Sequence, residues 1–233
     1  MYVNNFGGKN MHLKNNGKTK KDSKKAFTLA ETLLTLTIVG VIAALTIPAM
    51  KEHSDMSSII AQTQKAYLTA QSATSAVESA QGDLELWPWS QTATINNYYK
   101  NVMNVVPDNA WTGYQTYEMD GDTWAFIQPP SYFKTTDGMS WYIYNWSNGT
   151  DMGNSRIYGV IHVDVNGASG PNRVGVDVHA FTVSSDGVNP MGDGIHDTNS
   201  TWACTNYIIK HGKMPWYNDA SYTTCADQRI YKK

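Results

Sequence analysis

Glu31 is the residue whose setting most constrains the chemistry of this chain. It is the single charged residue between Phe27 and Met50, inside an otherwise apolar run. A carboxylate at the centre of a membrane helix costs roughly 2.5–3.5 kcal/mol, so one retained there implies a use. Glu31 sits four residues after Phe27, and the bond between the small residue Ala26 and Phe27 stands just ahead of the apolar run. A chain cut at that bond presents a free α-ammonium on Phe27. In a water-poor setting, that cation in one copy can be neutralised by Glu31 of another. Such a pair need not add net stability over an apolar substitute. Its use is register, because a misplaced copy buries an unpaired charge.

The other chemistry-bearing residues form looser patterns. Asp164, Asn166 and Asp177 flank a glycine-rich turn, and Asp186, Asn189, Asp193 and Asp197 make a second such run. Hard oxygen ligands on Gly turns suit Ca²⁺. The same composition also describes ordinary turns, and neither run has the EF-hand spacing. The histidines at 12, 53, 162, 179, 196 and 211 form no HExxH motif, and no GxSxG or P-loop is present. His162 and His179 fall on expected strands where they could face each other. Trp141, Tyr142, Tyr144 and Trp146 could bind a sugar or a partner, or alternate into a core. Sequons at Asn145, Asn148 and Asn199 point to surface loops. No catalytic constellation emerges, and the chain reads as a non-enzyme.

Elements that would position these residues follow from pattern. Residues 1–26 are polar, with seven lysines against Asp22 alone, and cannot bury a core. Residues 27–50 form an apolar helix about 36 Å long, enough to span a bilayer. Gly40 lowers its stability by roughly 1 kcal/mol. Thr35, Thr37 and Thr46 weaken it through β-branching. Pro48 removes a donor, so the helix should kink or loosen there. A secretory signal has a shorter apolar core and a cleavage site after it, not before it.

From 51 to about 80 the pattern becomes amphipathic, with Ile59, Thr63, Tyr67, Ala70, Thr74 and Val77 on one face. It ends near Gly82. Residues 91–106 hold a second, short helix. Strand-like runs occupy 123–128, 140–146, 156–165 and 176–183, and their short connections favour antiparallel pairing. A helical or strand-like piece lies near 201–210. Residues 83–233 thus make one globular head.

The lysine-rich flank orients the anchor, so that everything after Met50 is exported. What remains after the leader is acidic, which argues against nucleic acid as a partner. Export makes Cys204 and Cys225, the only cysteines, a disulfide pair. The loop of about 20 residues that it closes is worth roughly 3 kcal/mol. His211 lies between them, but without a CxxC pair a zinc site is the weaker reading.

The junction Lys24-Lys25-Ala26-Phe27-Thr28-Leu29-Ala30-Glu31, with its basic leader and apolar run, resembles the class III signal of type IV prepilins and pseudopilins. Gly40 and Pro48 fall where that family places a glycine and a proline. The resemblance implies a pilin-like α+β fold: a long N-terminal helix, transmembrane and then amphipathic, packed against an antiparallel β-sheet head with a C-terminal disulfide loop. It implies cutting between Ala26 and Phe27 by a prepilin peptidase of the membrane aspartyl class, and N-methylation of Phe27. It raises the case for Ca²⁺ in the C-terminal loops. The stretch Gly40–Pro48 would either lose helical order in a filament or stay an ordinary membrane helix. The implied partners are the bilayer, the inner-membrane assembly platform, and other copies or related pilins. The implied location is the inner membrane, then a pilus or a periplasmic pseudopilus. A membrane-anchored exported binding domain that never polymerises is the alternative.

Overall fold

The computed structural model describes residues 28–152, 155–192, 201–217, 219, 221, 222, 224 and 225. The chain divides after Pro48 into two compact units. In the first unit every described residue is helical except Thr28, and the helix, α1, has the bounds Leu29–Gln81. α1 runs through Gly40 and Pro48 without a break in helical structure. The threonines of its apolar half turn their hydroxyls back onto the preceding turn. Thr35 Oγ1 donates to Thr32 O at 2.9 Å, Thr37 to Leu33 O at 2.8 Å and Thr46 to Ile42 O at 2.9 Å. Each hydroxyl is thereby satisfied without water, which is what a polar group in lipid requires.

The second unit begins at Ala49 and is the head. Here α1 buries Ile59, Thr63, Ala66, Ala70, Ala73, Thr74 and Val77, a stripe with helical spacing. Four of the seven are Ala or Val, so the helix backbone can lie close to its neighbours. α1 ends at Gln81, and Gly82 follows with φ of 86°, the left-handed position that glycine takes at helix ends. Helix α2 is Thr92–Val102.

Eight strands follow: β1 Val105–Val106, β2 Tyr114–Tyr117, β3 Thr123–Ile127, β4 Phe133–Thr135, β5 Ser140–Met152, β6 Ser155–Asp164, β7 Val178–Ser184 and β8 Gly187–Pro190. Six form one antiparallel sheet in the order β1-β4-β5-β6-β7-β8, and β2 with β3 make a separate hairpin. The expected α+β arrangement, a long N-terminal helix against an antiparallel sheet, is therefore what the head contains. Helix α3, Cys204–His211, lies near β7 and β8.

Register fixes which side chains face α1. Trp141 pairs with Val163, Ile143 with Ile161, and Ile161 with Phe181. These residues are buried in one cluster with the α1 stripe. Tyr67 packs its ring on Phe181, with centroids 5.5 Å apart, and its hydroxyl donates to Val188 O at 3.2 Å. Asn96 of α2 stitches the helix layer to β5, accepting from Ile143 N at 3.0 Å and donating to Ile143 O at 2.7 Å. Trp87 and Trp89 belong to the same core, their indole N–H groups donating to Gly82 O and Leu84 O. The disulfide Cys204–Cys225 is buried at the start of α3, with Cα atoms 5.0 Å apart.

Gly159 on β6 lies directly against the Trp89 ring, which comes from the turn before α2. A Cβ there would overlap the Trp89 ring and lie 2.8 Å from Tyr144 O. Gly159→Ala is expected to destabilise the head by about 1–3 kcal/mol, read as a shift in the urea midpoint at unchanged slope.

Candidate functional site

The start of α1 is the first candidate site. Glu31 lies in the first helical turn, and Thr28 stands just outside it. Glu31 Oε2 accepts from Thr28 N at 2.8 Å and from Thr28 Oγ1 at 2.9 Å. Glu31 N in turn donates to Thr28 Oγ1 at 3.2 Å. This is a reciprocal capping box, in which side chains satisfy amide donors that a helix start leaves open. The Thr-x-x-Glu spacing is its signal in the sequence, but reading Glu31 only as an intramembrane charge passes over it. One carboxylate oxygen serves the helix, and Oε1 accepts no hydrogen bond from the described residues. Ala26 and Phe27 lie outside the described residues.

From this end to Met50, eleven large apolar side chains are at least half exposed, Leu29 at 79% and Leu45 at 74% among them. α1 is long and apolar enough to cross a membrane. Among the described residues, and apart from the helix's own nearby backbone, nothing comes within 4 Å of a Cβ built on Gly40. The described residues therefore give no steric reason for glycine there.

The second candidate lies in the head, at the end of the sheet. Ser140 pairs with Asp164, and Asp164 with Val178. Asp164 and Asp177 are both fully buried. Asp177 accepts from Arg173 N at 2.6 Å and from Asn172 N at 2.8 Å, one amide on each oxygen. Asp164 Oδ1 accepts from Asn166 N at 3.2 Å, and Asn166 Nδ2 donates to Gly170 O at 3.0 Å. The 165–177 loop is thus tied to itself through its acids and amides. Burial first, then the charge of Asp177, holds the Asp164 carboxyl well above the ordinary carboxylate range. Burial pushes Asp177 up to about 6, against the pull of its backbone donors. Tyr114 of β2 is pushed up by burial and by both carboxylates, so its hydroxyl keeps its proton beside them.

This bears on the expected calcium ligands. Asp164, Asn166 and Asp177 do share a loop, but both Asp177 oxygens already hold amides. Asp164 Oδ2 and Asn166 Oδ1 are the buried acceptors left over, against the roughly six to eight oxygens that Ca²⁺ takes. Asp186 and Asn189 belong to the β7–β8 turn instead. Asp186 Oδ1 accepts from Ser155 Oγ at 2.6 Å, Ser184 Oγ at 2.5 Å and Asn189 Nδ2 at 3.3 Å, which makes it a turn lock. Asp193 and Asp197 lie outside the described residues. Among the described residues no three His, Cys, Asp or Glu side chains converge as a metal would need.

His162 and His179 do not face each other. His162 pairs with Ala180 and His179 with Val163, so strand alternation sends the two rings to opposite sides of the sheet. His162 stacks on Trp202 at 4.4 Å and lies 3.3 Å from the Tyr144 hydroxyl. Burial pushes both histidines down to about 3, so both are neutral packing groups. Trp141 fills the core, whereas Tyr142 and Tyr144 stack on the opposite face. No family model, curated protein or solved structure matches this chain.

The acid pair sets the sign of a pH dependence. With folded values raised above the ordinary 3.8, the folded head holds protons that the unfolded chain has released between about pH 4 and 6. This contribution to stability is full below about pH 4; the Asp177 part is lost as pH rises through about 6, and the Asp164 part as pH rises through that group's own raised value. Asp164→Asn keeps the Oδ1 acceptor and removes one charge. It is expected to flatten that slope and raise stability near neutral pH by about 1–2 kcal/mol, measured by urea unfolding across pH. An unchanged slope contradicts the assignment.

Proposed function

We propose that this chain is a structural subunit of a type IV pilus or pilus-like filament, processed at its N-terminus and assembled through the first half of α1. The observation that carries this reading is the uncovered apolar half of α1 with one carboxylate at its start. Exposing eleven large apolar side chains to water would cost on the order of 15–30 kcal/mol. That exceeds the whole stability of a typical domain, roughly 5–15 kcal/mol. Lipid before assembly, and neighbouring helices after it, are the surroundings that remove the penalty.

In this reading a prepilin peptidase cuts between Ala26 and Phe27 and methylates the new amine. Methylation leaves the charge in place. The Phe27 ammonium of one subunit then meets Glu31 of another. The capping box leaves Oε1 available for that partner while Thr28 holds Oε2. The subunit waits in the inner membrane with its head exported, held by an assembly platform, and is extracted into the polymer. A type II secretion pseudopilin is the close relative of this reading. A long surface fibre in electron micrographs selects the pilus, and a short periplasmic structure selects the pseudopilus.

A second reading is favoured by the capping box itself. A Glu31 used fully by its own helix start needs no neighbour, and the chain would then be an exported head on a plain anchor. Mass spectrometry of the chain recovered from membranes tests the first reading. It is expected to show Phe27 as the first residue, carrying one added methyl group. A retained leader, or a cut elsewhere, contradicts it.

A further inference from the structure

We draw no further inference here: the strongest candidate, the groove between α1, the end of α2 and the turn after β4, where Leu68 and Val102 stand exposed, carries none, because nothing among the described residues shows what covers it.

Discussion

Among the described residues, the large apolar side chains in the first half of α1 are left exposed, and this constraint governs the rest. The head completes its own core from residues after Ala49, so it does not need the first half of the helix in order to fold. The apolar half in turn satisfies its own polar groups, through its backbone, its threonine hydroxyls and the box between Thr28 and Glu31. What the first unit leaves open is a surface of Leu, Ile and Val, which in the proposed reading is covered by lipid or other helices. In the proposed filament Glu31 would gain its use from that surface, because a carboxylate marks position only where misplacement leaves it dry and unmatched.

In the head the same helix has a different character. Ala66, Ala70 and Ala73 keep it thin where it meets the sheet, and the bulk of the interface comes from Trp141, Ile143, Ile161 and Phe181 on the strands. Polar residues pin the layers: Asn96 to β5, Tyr67 to β8, Thr74 to Tyr99 at 2.8 Å. Beyond the sheet the chain spends its acids on loop geometry. Asp177 gathers the amides of 172 and 173, and Asp186 gathers three donors of the β7–β8 turn. Asp/Asn/Gly-rich loops of this kind can fold on their own donors before any cation is considered.

Long-period features were legible in the sequence and pair-dependent ones were not. The apolar and amphipathic stretches read correctly as one helix ending at Gly82, because hydrophobic spacing and a terminating glycine are local signals. The four strand-like runs correspond to β3, β5, β6 and β7. β1, β4 and β8 are two to four residues long, too short to show alternation, and exist because a longer neighbour offers them a ladder. β2 and β3 left the main sheet for a hairpin of their own, a choice that alternation cannot reveal. The opposed faces of His162 and His179 depend on a register that only pairing sets. Cys204 and Cys225 were legible from compartment and count alone, and they are bonded. At the helix start the Thr-x-x-Glu spacing of Thr28 and Glu31 is a local signal for a cap, separate from any use of the charge.

The two possible uses of Glu31 can be separated by one substitution. Gln at the same position keeps the capping geometry, since either residue can close the box, but it cannot neutralise an ammonium. The most direct measurement is therefore filament recovery from cells expressing Glu31→Gln, alongside the amount of processed subunit in the membrane. If Glu31 serves a neighbour, the variant is inserted and processed at parental level and filaments fall at least about tenfold. Filaments at parental level from Glu31→Gln would contradict the account and leave Glu31 as a cap for its own helix.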